Sequence, residues 1–132
     1  MKKPITPMVH GIMDYAMGAT LLALPAMMGA DGALTKTYGA VGLGILSQNA
    51  LTDSPCGIRK SISLKQHKMA DTGILAAVAL STFSKAIRND KKMLGFHVGL
   101  LTMLTAQYLL TDFDGNSNSG TKRPSKRKGS MN

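Results

Sequence analysis

The chain has 132 residues, 44% of them apolar, and 16 Lys and Arg against 7 Asp and Glu give a formal net charge of +9. This length fits one domain with a tail. The single cysteine, Cys56, excludes an internal disulfide and a cysteine-based zinc site. Charged residues avoid four windows, which are residues 15–30, 37–52, 72–84 and 93–111.

These windows predict an integral membrane protein. A soluble helical bundle carries charge on the outer face of every helix, and these segments have none. They are shorter than the roughly 20 residues that span a bilayer core, and basic side chains beside them can reach the headgroups. Those side chains are Lys65, Lys68, Lys85, Lys91 and Lys92.

In chain order, apolar periodicity and turn residues predict four helices, at about 8–28, 34–51, 63–86 and 92–110. Pro25 is expected to kink or end the first helix. A signal peptide is an alternative for this first segment, but His10 and Asp14 interrupt its apolar run. The break at 53–64 favours a short interfacial helix behind Pro55.

Residues 115–132 form a basic tail that is disordered by composition. Its five Lys and Arg favour anionic lipid headgroups as a partner, at about 1 kcal/mol per basic residue near the surface. Nucleic acid is not favoured, since the tail lacks interleaved aromatic residues and a folded reader.

A polar pattern occurs twice and indicates an internal duplication. His10 and Asp14 are four residues apart, and so are His67 and Asp71, 57 positions later. Each pair is followed by two apolar runs and a Leu-Thr-Asp closure, at 51–53 and 110–112. The predicted domain, 1–114, therefore contains two helical hairpins, at about 8–53 and 65–112.

The basic residues predict topology. The N-terminus, the central break and the tail are all basic, which places them together on the cytoplasmic side of a four-span protein. Six polar residues then fall at one membrane level. They are His10, Asp14, Asp53, His67, Asp71 and Asp112.

This predicted cluster has three interpretations. The first is structural, with each His–Asp pair and the neighbouring Thr-Asp tying two helices together. The second is a proton- or cation-handling site in which histidine titrates. The third is a divalent metal site, for which two distant histidines are a weak signal. On this basis the sequence predicts neither a cofactor nor a metal.

His97 lies inside the fourth helix and is interpreted as a hydrogen-bonded interhelical residue. Its candidate partners are Gln48, Asn49, Ser81 and Gln107. The ten methionines are interpreted as apolar filler. Phosphate-binding glycine loops, nucleophile triads and paired-carboxylate motifs are not found, so no enzymatic activity is predicted.

The repeated residues resemble a known group. His10-Gly11-Ile12-Met13-Asp14-Tyr15 and the closure at 51–53, with their counterparts at 67–71 and 110–112, are similar to the small bacterial integral membrane proteins called SPW-repeat proteins. The Ser-Pro-Trp motif itself is absent, and Leu24-Pro25-Ala26 stands in its place. The resemblance implies a multi-pass protein of the bacterial inner membrane and no established activity.

The sequence thus predicts an all-α protein, a four-helix transmembrane bundle built from two tandem hairpins, with both termini cytoplasmic. Its expected role is structural or accessory, with the lipid bilayer as partner and a homo-oligomer as an option. One alternative is a small transporter or channel-like oligomer that uses the His/Asp cluster. Another is a soluble helical binding module.

Overall fold

The computed structural model describes residues 3–114, and within that range its only elements besides helices are two isolated parallel β-bridges. This confirms the predicted all-α class. The predicted basic tail, 115–132, lies outside the described residues. The helices are α1 (Pro7–Met27), α2 (Gly32–Ala50), α3 (Leu64–Ser81), α4 (Lys85–Arg88) and α5 (Lys91–Leu110).

The first hairpin is defined by its caps. The Thr6 side chain accepts a hydrogen bond from the Val9 N–H at the start of α1, and the Asp31 side chain accepts one from the Leu34 N–H at the start of α2. Between the helices, Gly29 has a φ of 77°, a left-handed conformation that glycine adopts without steric cost. The predicted turn after the first helix therefore lies where the composition placed it.

The second hairpin differs from the prediction in two places. Residues 53–63 form bends and turns rather than an interfacial helix, and Ser63 and Gln66 build a capping box at the start of α3. The predicted helix at 63–86 ends instead at Ser81, and α4 follows after a break. Two hydroxyl side chains beside this break bond back into the helix, Ser81 to the Ala77 carbonyl and Thr82 to the Val78 carbonyl, and such bonds compete with the backbone hydrogen bonds of the helix.

The two hairpins pack side by side. α1 lies against α2, α3 lies against α5, and α2 contacts α3. α1 and α2 approach closely at Gly42, where an added Cβ would lie 2.7 Å from the carbonyl oxygen of Gly18. Because α1 and α2 touch through these glycines, their backbones come close enough to position the N-terminal half of α1 beside the end of α2.

Polar side chains make up half of the buried set in this structure. Among the described residues, nine hydrophobic and nine polar side chains are buried, whereas fifteen large hydrophobic side chains are exposed. The exposed group includes Leu43, Leu80, Phe83 and Val98, each more than half exposed. The interior is therefore unusually polar and the surface unusually apolar.

One described helix, Lys91–Leu110, is long and apolar enough to cross a membrane, and 22% of its most apolar window is buried. By this criterion one of the described helices qualifies as a membrane span, and the four-span bundle predicted from the charge-free windows is not supported. The other long helices are less apolar because of their polar residues. α1 contains His10 and Asp14, and α2 contains four glycines and Lys36. The first turns of α3 contain Lys65, Gln66, His67 and Lys68.

Candidate functional site

Four of the predicted polar residues meet at one end of the bundle. His10 and Asp14 lie on adjacent turns near the start of α1, and His67 and Asp71 take the same positions on α3. We call these four residues the tetrad. His10, Asp14 and His67 are at most 4% exposed, and the Asp71 side chain is 15% exposed. Each helix thus contributes one histidine and one carboxylate to a buried cluster.

The tetrad is compact, and each histidine Nε2 lies close to both carboxylate Oδ2 atoms. Nε2 of His10 lies 3.4 Å from Oδ2 of Asp14 and 3.2 Å from Oδ2 of Asp71. Nε2 of His67 lies 3.2 Å from Oδ2 of Asp14 and 3.4 Å from Oδ2 of Asp71. The two Nε2 atoms are 3.3 Å apart. Every potential ligand atom lies within 4.8 Å of the others.

Threonine hydroxyls hold the histidine rings from outside. Nδ1 of His67 lies 2.7 Å from Oγ1 of Thr52, and that hydroxyl donates to the carbonyl of Gln48 at 2.6 Å. Nδ1 of His10 lies 2.7 Å from Oγ1 of Thr111 in the same way. Since a hydroxyl has one proton and Thr52 donates it to a carbonyl, Nδ1 must donate to the hydroxyl oxygen. Both neutral histidines therefore keep the proton on Nδ1.

Glutamine side chains hold the carboxylates. Gln107 Nε2 donates to Oδ1 of Asp14 at 2.7 Å and to the carbonyl of His10 at 3.3 Å. Gln48 Nε2 donates to Oδ1 of Asp71 and to the carbonyl of His67. The remaining oxygens, Oδ2 of Asp14 and of Asp71, are buried and make no hydrogen bond within the described part of the chain.

These contacts run between the two repeats, and they occupy equivalent positions in both. Each half's histidine and aspartate are held by the threonine and glutamine of the other half, at offsets of 57 and 59 residues. Two parallel bridges, Ile5 with Thr111 and Thr52 with Ile62, bring each threonine beside the strand-like segment that precedes its histidine. The tetrad therefore joins α1, α3 and the C-terminal ends of α2 and α5.

Two predicted members lie outside the tetrad. Asp53 is exposed and lies 3.8 Å from Lys60 Nζ. Asp112 is partly buried, and its backbone N–H donates to the carbonyl of Ile5. The prediction that these aspartates join the cluster is wrong, because the chain leaves the helix here and directs the preceding threonine inward. Thr52, Thr111, Gln48 and Gln107 are the residues that complete the site.

Contacts between the histidines and the aspartates determine the pKa values of the tetrad. All four residues lie outside the charge-free windows. Burial alone would lower the pKa of His67, but the adjacent carboxylates of Asp14 and Asp71 outweigh this effect and raise that pKa to about 9. The pKa of His10 is raised for the same reason. Burial alone would raise the pKa of Asp71, but contacts with both histidines lower it to about 2. When no other cation is bound, the neighbouring carboxylates therefore stabilise the protonated form of the histidines.

The surroundings restrict access to the tetrad. The Phe113 ring meets the His10 ring edge-on, with centroids 5.1 Å apart, and lies 6.4 Å from the His67 ring. A cavity of about 20 Å³ beside the tetrad is lined by three tetrad residues, by Gln107 and Tyr108, and by Ile and Leu side chains. This volume has room for about one water molecule.

His97 forms a separate, fully satisfied contact. Its Nε2 donates to the carbonyl of Val78 at 2.9 Å, so its Nδ1 accepts from the Tyr38 hydroxyl at 2.7 Å. The predicted partners Gln48, Asn49 and Gln107 are wrong, because these residues lie at the end of the bundle that contains the tetrad. Gln107, for example, lies about 15 Å from His97 along the axis of α5. Ser81 donates to its own helix instead. The interhelical interpretation of His97 itself agrees with the structure.

Comparison with known proteins gives no match to a family model, to a curated protein or to a solved structure. Two imidazole nitrogens and two carboxylate oxygens converge on one point, and such a set can hold protons or a divalent cation. In either state it ties two helical hairpins together at one end.

Proposed function

We propose that this chain is a four-span integral membrane protein of the bacterial inner membrane, with both termini cytoplasmic and a structural or accessory role. The observation that supports it is the exposed apolar surface, because twelve of the fifteen exposed large hydrophobic side chains lie on the long helices, whose central windows lack charge. The proposed spans lie within residues 15–30, 37–52, 72–84 and 93–111. Kinship with the SPW-repeat group is part of this proposal.

The polar interior fits the same proposal. Lipid offers no hydrogen bonds, so polar side chains within a membrane domain turn inward and pair with each other. Asn49 donates to the carbonyl of Gly11 at 2.7 Å, and Tyr38 donates to His97. In this arrangement the tetrad joins the two hairpins at the cytoplasmic end of the spans.

An accessory role is favoured over conduction. The cavity beside the tetrad holds about one water molecule, and Phe113 packs over both histidine rings. A transport path would therefore have to form between copies of the chain. The tetrad is better suited to fixing the arrangement of helices than to passing a solute.

The first test is membrane retention of the full-length chain with a C-terminal reporter after alkaline carbonate washing. We expect retention, with the reporter protected from reagents applied outside the cell. Release into the soluble fraction would contradict the membrane proposal and favour a soluble oligomer that covers the apolar faces.

A matched pair of variants on α5 sharpens this test. Val98 is 51% exposed near the middle of the helix, and Lys92 lies at its end. In lipid, Val98→Asp should cost about 2.5–3.5 kcal/mol and reduce the membrane-retained fraction, while Lys92→Asp should not. In water, a new charge on an exposed position changes stability by less than about 0.5 kcal/mol. Equal retention of both variants would argue against a lipid-facing α5.

A further inference from the structure

We propose that the tetrad binds one divalent transition-metal ion, with Zn²⁺ as the best fit. The ligands are Nε2 of His10, Nε2 of His67, Oδ2 of Asp14 and Oδ2 of Asp71. This inference goes beyond the proposed membrane role and does not depend on it, because it follows from the geometry of four side chains.

The spacing of the four atoms matches a tetrahedral ion. Zinc–nitrogen and zinc–oxygen bonds of about 2.0–2.1 Å place the corners of a tetrahedron about 3.3–3.4 Å apart. The four nitrogen–oxygen separations and the nitrogen–nitrogen separation in the tetrad are 3.2–3.4 Å. Five of the six edges therefore have the length that a bound zinc ion requires.

The histidine tautomers are also those of metal ligands. Because Thr52 and Thr111 accept from Nδ1, the Nε2 lone pairs of both neutral histidines point into the tetrad. Metal-bound histidines generally donate their other ring N–H to an outer partner, which fixes the ring. Here both outer partners are buried and are themselves held by helix carbonyls.

The carboxylates leave one oxygen each for the ion. Gln107 and Gln48 donate to the Oδ1 atoms, and the buried Oδ2 atoms of Asp14 and Asp71 have no hydrogen-bond partner among the described residues. A buried carboxylate oxygen without a partner is costly. A cation at the centre of the tetrad would satisfy both oxygens at once.

Charge balance favours a dication over two protons. Two protonated histidines would neutralise the two aspartates, but their Nε2 atoms would then face each other at 3.3 Å as like charges. One divalent ion neutralises the same carboxylates and removes that contact. Ca²⁺ and Mg²⁺ are disfavoured, because they prefer six or more oxygen ligands and this site offers two nitrogens.

The test uses the full-length protein purified in detergent, stripped with a chelator and titrated with Zn²⁺ against a chromophoric competitor. We expect one Zn²⁺ per chain, and the intense visible absorption of a four-coordinate ion when Co²⁺ replaces it. Failure to bind Zn²⁺, or a Co²⁺ spectrum of six-coordinate type, would overturn the proposal. Membrane retention is measured separately, so this result and the membrane test can fail independently.

Matched variants identify the ligands. Asp14→Asn should lose zinc affinity by more than the roughly 10–100-fold that a lost outer partner costs, while Asp53→Asn should bind as the parent does. Asp53 is the appropriate control because it is an aspartate near the tetrad whose side chain is exposed. Equal affinities for these two variants would exclude the tetrad as the site.

A second variant covers the case in which Asp14→Asn does not fold. Thr52→Val keeps the shape of the side chain and removes the hydroxyl that orients His67. We expect roughly 10–100-fold weaker zinc binding with an unchanged stoichiometry of one. Thr37→Val, an exposed threonine on α2 that bonds only its own helix, serves as its control. Parent-like affinity in Thr52→Val would overturn the assigned outer partner and with it the proposed site.

Discussion

At the scale of single residues, the protonation states of the metal-free tetrad contribute to the stability of the fold. The pKa of His67 rises to about 9 from its ordinary value of 6.5, and that of Asp71 falls to about 2 from 3.8. A group whose pKa rises on folding stabilises the protein fully below its unfolded value and loses this effect as pH rises through the folded value. A group whose pKa falls on folding behaves in the opposite sense at acid pH.

We therefore expect the chelator-treated protein to be most stable between about pH 4 and pH 6.5. Its free energy of unfolding should decrease from pH 6.5 to about pH 9, as His67 loses its proton, and again below pH 4, as Asp71 gains one. Denaturation followed by far-UV circular dichroism measures this profile. His67→Gln should flatten the alkaline limb, and a parent profile that is already flat from pH 6.5 to 9 would contradict the assignment.

The sequence could predict half of this site. A spacing of four residues on a helix required His10 to share a face with Asp14, and the recurrence at 67 and 71 suggested one cluster. The outer partners could not be found this way, since attention to charge selected Asp53 and passed over Thr52. Which of two neighbouring residues turns inward depends on the β-bridge to Ile62, a contact that no local pattern contains.

At the scale of elements, glycine decides how closely the helices of each hairpin approach. Gly18 and Gly42 allow α1 and α2 to touch through their backbones. Offsets of 57 and 59 place Leu75 and Leu101 at the matching positions of the second hairpin. Larger side chains there keep α3 and α5 further apart, which explains why the first hairpin is the more tightly packed.

Alanine substitutions on α2 should separate contact from helix propensity. A Cβ at Gly42 would lie 2.7 Å from the Gly18 carbonyl oxygen and 2.9 Å from Leu21 Cβ, whereas a Cβ at Gly44 meets nothing within 4 Å. Gly42→Ala should destabilise by about 1–3 kcal/mol through overpacking. Gly44→Ala should be neutral or stabilising by up to about 1 kcal/mol.

Unfolding in detergent, monitored by helical circular dichroism, compares the two variants directly. A result in which Gly44→Ala destabilises as much as Gly42→Ala would show that the α1–α2 contact is not the reason for the glycine at 42.

Helix positions were largely predictable and helix ends less so. Charge-free windows and turn residues located α1, α2 and α5 to within a few residues. The break after Ser81 was missed because the apolar pattern continues through Phe83. Thr82 is held there by His97, at 3.1 Å from Nε2, which is a contact between distant parts of the chain.

At the scale of the whole molecule, the two hairpins depend on each other. Asp14 belongs to the first half and is held by Gln107 of the second, while Asp71 is held by Gln48 of the first. Neither half contains both a carboxylate and its amide donor. The tetrad should therefore behave as one energetic unit although its members lie 57 residues apart.

A double-mutant cycle measures this coupling. Asp14→Asn and Asp71→Asn should be non-additive by about 0.5–3 kcal/mol in the free energy of unfolding, because both aspartates contact both histidines. Asp14→Asn combined with Asp53→Asn should be additive within about 0.3–0.5 kcal/mol. Additivity in the first pair would mean that the two halves stabilise themselves separately.

The bond between His10 and Thr111 spans 101 positions of the chain. During translation, α1 is made long before Gln107 and Thr111 leave the ribosome. Until then, Asp14 lacks the amide donor that Gln107 provides in the complete fold. A chain that ends before Gln107 lacks this donor, and we expect such a chain to be less stable and more exposed to proteases. The chain must therefore extend at least to Thr111 before α1 gains the side-chain partners of His10 and Asp14.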